Sequence, residues 1–214
     1  MIYLARHGET DWNALGRYQG RMESTLSPLG LRQAAALAAM FAQRRARGEP
    51  VPARVISSPM RRCMLTAAAS AGVLGVPVEP DERLIEIAHG TWDGRLRDEI
   101  AHGDAARYAA WRSEPAGVTF ENGESLKDVD ARWRAFEAGL PRDGADLLVC
   151  THDAVLRVAL LSLTHRPLTD FWSVHAENGA FALVHNTNGQ LRLLTECVNA
   201  HLGADRAAPA RQAL

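Results

Sequence analysis

The chain begins Met1-Ile2-Tyr3-Leu4-Ala5-Arg6-His7-Gly8-Glu9-Thr10. An apolar run from Met1 to Ala5 stops abruptly on charge and glycine. That is the pattern of a short buried strand feeding straight into a loop. A similar run comes late, where Leu147-Leu148-Val149 leads to Thr151-His152-Asp153. Between them Val55 to Ser57 is a further short strand, and Val76 to Val78 another. Helical stretches separate these runs. Ser27 caps and Pro28 opens an alanine-rich helix reaching about Arg45. Met60 to Ala71 reads as a helix closed by Gly72, Ser125 to Leu140 as another, and Ala154 to Leu163 as a short one. Ala180 to His185 and Leu191 to Thr195 form a closing hairpin about an Asn188-Gly189 turn. Asp11 to Leu26, Leu84 to Trp92 and Pro115 to Gly123 read as loops, and 95–112 as polar and partly helical.

Strands alternating with helices imply an α/β fold, a three-layer αβα sandwich with a mostly parallel central sheet. No repeat or linker divides the chain. Residues 1–202 read as a single domain and 203–214, rich in Ala, Arg and Pro, as a loose C-terminal tail.

The 214 residues carry 24 basic and 25 acidic side chains and are 47% hydrophobic, enough for a sizeable core. A net charge of −1 argues against a nucleic-acid partner, which usually meets a basic excess or stripe. No apolar run is long enough to span a bilayer, and an arginine interrupts the N-terminal run too early for a signal peptide. The expected setting is cytoplasmic and away from membranes. Cys63, Cys150 and Cys197 lack metal-ligand spacing and read as reduced, structural thiols.

Three strand ends carry matching chemistry. Ligands of open α/β sheets bind beyond the carboxyl ends of the strands. If the first and late strands are parallel neighbours, His7 and His152 face one crevice. The strand ending at Ser57-Ser58 is followed by a helix opening on Arg61 and Arg62. An arginine and a helix N-terminus both suit an anion.

The order of residues is more specific still. RHGETDWN at 6–13 is followed by RYQG at 17–20, SSPMRRCMLTA at 57–67 and LIEIAHGTWDG at 84–94. NGES at 122–125 and THDAVLR at 151–157 complete the series. In this order the blocks resemble the histidine phosphatase superfamily, in its phosphoglycerate-mutase-like branch. The resemblance implies a metal-independent phosphoric monoester hydrolase of the histidine acid phosphatase type, working without a cofactor on a small phosphorylated metabolite. It implies that His7 forms a phosphohistidine, that Arg6 and Arg62 (not Arg61) hold the phosphoryl oxygens, and that His152 is the second histidine of the pocket. Glu86 would donate and accept the proton. Asn13, Gln19 and Gly20 would lie near phosphate or substrate.

Such residues belong together on physical grounds. Charge in phosphoryl transfer lies on three equatorial oxygens, so positioning and electrostatics carry most of the catalysis. Arginine offers a planar fork of donors matched to phosphate, and a protonated His152 would add another. His7 must be neutral on one ring nitrogen, with an acceptor, such as the Gly8 carbonyl, fixing the other. Glu86 needs a raised pKa to hold a proton; a salt bridge to the arginines is its blander use.

Two departures stand out: Pro59 replaces a frequent acidic or amide residue, and THDAV lacks the usual glycine pair. Asp153 could raise the pKa of His152, contact the substrate, or cap the following helix. A phosphoglycerate-type phosphomutase is the alternative function; LIEIAHG lacks the mutase wording, and the segment before NGES is short. A catalytically dead binding module would have lost His7 or Glu86. Arg95, Arg97, Arg107 and Arg112, among Tyr108, Trp111 and Phe120, suit either substrate selection or a helix with a packed aromatic face. A homodimer stays open.

Overall fold

The computed structural model describes residues 1–141 and 144–206. The first strand, β1 (Ile2–Arg6), is buried along its whole length. Its neighbours are β4 (Leu147–Thr151) on one side and β5 (Phe181–Thr187) on the other. With β2 (Arg54–Ser57), β3 (Val78–Pro80) and β6 (Gln190–Val198), they make one six-stranded sheet of order β3-β2-β4-β1-β5-β6. The four strands from β3 to β1 run parallel; β5 and β6 are antiparallel.

Alternation along the strands explains the layers. Ile2 and Leu4 of β1, with Leu147 and Val149 of β4, join one core; Tyr3 and Ala5, with Leu148 and Cys150, join the other. The second core lies beneath α2 (Pro28–Ala46) and α3 (Arg61–Leu74). The first lies beneath α6 (Leu126–Ala138) and α7 (Asp153–Leu163), and takes in α4 (Arg97–Gly103) and α5 (Ala105–Ser113) through Ile100 and Trp111. The expected three-layer α/β sandwich is the fold observed.

Element boundaries differ from the expected ones where local hydrogen bonding and burial set them. A short helix, α1 (Asp11–Leu15), occupies part of the expected loop, held by a capping box between Thr10 and Asn13. Helix α3 runs past Gly72 and closes at Gly75, which adopts φ +72. Buried Leu74 still packs into the core there, so the helix gains by continuing. The extra residues displace β3 to Val78–Pro80, two positions beyond the expected strand. Asn188 and Gly189 both have positive φ (53 and 89), as a tight hairpin turn requires.

The aromatic residues of the 95–121 stretch take the packed reading. Trp111 and Phe120 are buried, 5.0 Å apart between ring centres, and Arg112 stacks on Trp172 at 4.2 Å. Residues 203–206 are anchored rather than loose: Asp205 meets Arg32, and Arg206 pairs with Glu177. Residues 207–214 of the expected tail lie outside the described residues. The three cysteines are free thiols. Among the described residues no helix is long and apolar enough to cross a membrane.

Candidate active site

Parallel pairing of β1 with β4 places Arg6 opposite Thr151, and the N–H of His7 donates to the Thr151 carbonyl at 3.0 Å. His7 and His152 therefore leave adjacent strands at the same level. Their ring centres are 5.2 Å apart, at 66°. The strand before α3 joins them: Ser57 pairs with Cys150, and the N–H of Ser58 donates to the Cys150 carbonyl.

The loop after His7 is clamped against α2. A Cβ on Gly8 would lie 2.5 Å from the Gly30 carbonyl oxygen, and one on Gly30 would lie 1.9 Å from that of Glu9. Only glycine permits that backbone approach. The Gly8 N–H donates to Thr66 Oγ1 at 3.0 Å, and the Asn178 side-chain amide donates to the His7 carbonyl at 3.0 Å.

His7 Nδ1 lies 2.7 Å from the Gly8 carbonyl. A carbonyl only accepts, so Nδ1 carries the proton and Nε2 is a bare lone pair. Burial, then Arg62 and Arg6, push the His7 pKa well below its ordinary range. His152 is lowered for the same reasons, with burial the largest. Without a bound anion its ring is thus held towards the neutral form. Its tautomer is fixed as well. Arg62 Nε donates to Nδ1 at 3.2 Å, so Nε2–H donates to Ser58 Oγ at 2.8 Å.

The two arginines arrive by different routes. Arg62, wholly buried, donates to the carbonyls of Gly20 (2.8 Å) and Met22 (3.0 Å). Gly20 adopts φ +47, and a Cβ there would strike the Asp93 carboxylate at 1.9 Å. Arg61, the neighbour that the resemblance passes over, is exposed. Arg6 donates to the Ala176 carbonyl at 2.6 Å and pairs with Asp153 at 2.8 Å.

Glu86 is buried, and its Oε1 accepts from the N–H groups of Ile87 (3.0 Å) and Ala154 (3.3 Å). Burial and the neighbouring Asp153 raise its pKa; Arg62, His89 and the Ile87 N–H oppose them. Gln19 and Asn13 lie in one polar cluster around Thr10: Gln19 Oε1 accepts from Thr10 Oγ1 at 3.0 Å and from Ser24 Oγ at 2.5 Å. Asn13 Oδ1 accepts from the Thr10 N–H at 3.1 Å.

Two of the uses expected of Asp153 do not hold: it does not cap α7, and it is not among the groups that shift His152. His152, not Asp153, is the N-cap residue of α7. Its carboxylate pairs with Arg6 and Arg157, and the neighbours that set the His152 pKa are cations and His7. His89 is structural: buried between Tyr18, Trp111 and Phe120, with Nδ1 3.4 Å from Asp93. Sequence reading missed Ser58, Thr66 and Asn178. Thr66 alone left a trace, four residues after Arg62 on one helix face, where its hydroxyl bonds the Arg62 carbonyl.

Two histidines, two buried arginines and a carboxyl of raised pKa thus converge at the carboxyl ends of parallel strands. The family model of the histidine phosphatase superfamily (branch 1) matches residues 2–198. The chain belongs to this superfamily. Phosphoserine phosphatase 1 of Hydrogenobacter thermophilus is 32% identical over 204 residues, covering 94% of each chain. The adenosylcobalamin/alpha-ribazole phosphatase of Salmonella typhimurium is 29% identical over 88% of this chain and 91% of its own. Among solved structures, Bacillus stearothermophilus YhfR superposes with a TM-score of 0.82 at 29% identity, covering 91% of this chain and 95% of that one. This histidine phosphatase superfamily member is a hydrolase of phosphate esters.

Proposed function

We propose that the protein hydrolyses a small phosphate monoester through a phosphohistidine on His7, without a metal. One observation carries this reading: the Gly8 carbonyl holds the proton of His7 on Nδ1, leaving Nε2 unprotonated in a site flanked by two arginines. Nε2 attacks phosphorus, the P–O bond to the alcohol breaks, and the leaving oxygen takes the proton of Glu86. Water then attacks the phosphohistidine, Glu86 recovers a proton from it, and inorganic phosphate departs with Nε2 free again.

Arg6 and Arg62 bind the equatorial oxygens in place, so little reorganisation accompanies the transfer. A phosphoryl dianion also adds negative charge beside the two arginines, which favours protonation of His152 once substrate is bound. Gln19, with its amide oxygen already held by two hydroxyls, is left to offer its NH₂ to the anion. Asn13 and the Gly20 backbone complete the same wall.

The competing phosphomutase reading makes a different product from the same intermediate. With 3-phosphoglycerate and its bisphosphate supplied in chelator-treated buffer, a metal-independent phosphatase releases inorganic phosphate and forms no isomerised phosphoglycerate. Isomer formation outpacing phosphate release would establish the mutase; loss of all turnover on chelation, restored by a divalent cation, would refute metal independence.

A further inference from the structure

Two carboxyl groups meet at the start of α7 in contrasting surroundings. The Asp153 carboxylate pairs with Arg6 Nη1 at 2.8 Å and is forked by Arg157, at 2.6 Å from Nε and 3.5 Å from Nη2. Asp153 and Arg6 are buried, and the side chain of Arg157 is only 14% exposed. Arg157 is anchored in turn on the carbonyls of Phe171 and Val174. The Glu86 carboxyl, by contrast, is bonded by the two N–H groups of Ile87 and Ala154 and by no guanidinium among the described residues. Neighbouring carboxyl groups with such different partners are suited to different duties: one is clamped between cations, and the other is bonded only by backbone N–H groups.

We infer that Asp153 is a positioning residue that fixes the Arg6 guanidinium and, through its charge, keeps the adjacent Glu86 carboxyl protonated. This rests on the acid–base role of Glu86 proposed above. Two backbone N–H groups at a helix N-terminus favour the Glu86 anion. So do the cations facing it, Arg62 from α3 and Arg6 from the end of β1, and the imidazole of His89 from its own loop. Burial and Asp153 act the other way; Cys63 of α3 is a further ionisable neighbour, and the Arg21 guanidinium donates to the Glu86 carbonyl at 3.4 Å. Asp153 stands where the usual glycine would supply neither charge nor clamp. The i,i+4 spacing of Asp153 and Arg157 keeps the pair on one face of α7.

The test is the pH dependence of kcat for an alkyl phosphate. Asp153→Asn removes the charge with little change of shape, so Glu86 loses its proton earlier. The alkaline limb is expected to move down by about one pH unit, a tenfold change in ionisation. Inhibition by inorganic phosphate should weaken several-fold as Arg6 loosens, and Asp153→Glu should restore the limb. An unmoved limb in a folded Asp153→Asn protein overturns the inference. If that variant does not fold, Arg157→Met carries the test: with one cation fewer, the limb moves up, and no movement or a downward one overturns it. A limb that survives Glu86→Gln would instead refute the role of Glu86 itself. Lost alkyl phosphate turnover in Asp153→Asn with normal turnover in Glu86→Gln would make Asp153 the acid.

Discussion

Replacing His7 by alanine is expected to lower kcat for an aryl phosphate by about 10⁴-fold or more, with the fold intact. Losses on that scale follow when a covalent nucleophile is removed and only binding and electrostatic stabilisation remain. The substitution deletes the one ring nitrogen that the Gly8 carbonyl leaves unprotonated. His152 cannot substitute for it. Both nitrogens of His152 are engaged, one accepting from Arg62 and the other donating to Ser58. Arg6 and Arg62 are unaffected, so inorganic phosphate still binds. Steady-state turnover and phosphate inhibition, measured on the same sample, separate the two effects. Near-normal turnover would rule out His7 as nucleophile.

The second large effect concerns Glu86. Glu86→Gln is expected to cost 10²- to 10⁴-fold, on the order of a general acid's full contribution, for an alkyl phosphate. In kcat/KM, which reports transfer to His7 and not the hydrolysis that follows, the cost should shrink to a few-fold for p-nitrophenyl phosphate, whose leaving group departs without a proton. Glutamine keeps the size and the acceptor oxygen facing the N–H groups of Ile87 and Ala154, so packing changes little. The pH profile fixes the sign. Turnover needs neutral His7, whose lowered pKa puts the rising limb below its ordinary value of 6.5. It also needs protonated Glu86, whose raised pKa puts the falling limb above its ordinary value of 4.5. In Glu86→Gln the falling limb disappears for the alkyl substrate while the rising limb stays. Equal losses for both leaving groups would remove Glu86 as the acid.

Much of the site is legible in the sequence because strand ends are. An apolar run stopping at Arg6-His7 and another stopping at His152 need only parallel pairing to meet, and β1 and β4 supply it in register. Arg62 is told from Arg61 only by the resemblance, whose arginine falls there when counted from Ser57-Ser58. Positions whose role depends on distant partners are not. Asn178 reaches the His7 carbonyl from 171 residues away, and nothing in its neighbourhood marks it. Ser58 looks like any polar residue after a strand until His152 arrives beside it.

Charge states are the other illegible quantity. The resemblance sets two arginines near His152 but does not show that burial, and then their charge, lower its pKa. It shows Asp153 but not that Arg6 and Arg157 take up its carboxylate. The same holds locally: Thr10 and Asn13 read as loop residues, yet their reciprocal hydrogen bonds build α1. At the end of α3, Gly72 does not stop the helix, and the burial of Leu74 carries it on to Gly75.

The central claim is a covalent bond between phosphorus and Nε2 of His7, and rapid quenching tests it most directly. Protein mixed with a ³²P-labelled aryl phosphate and quenched within milliseconds in alkali should carry label that is stable to base and lost in acid. That label should map to the peptide containing His7 and be absent from His7→Ala. A protein that turns over the substrate at a normal rate yet carries no label on His7 at any quench time, or carries it on another residue, would contradict the mechanism.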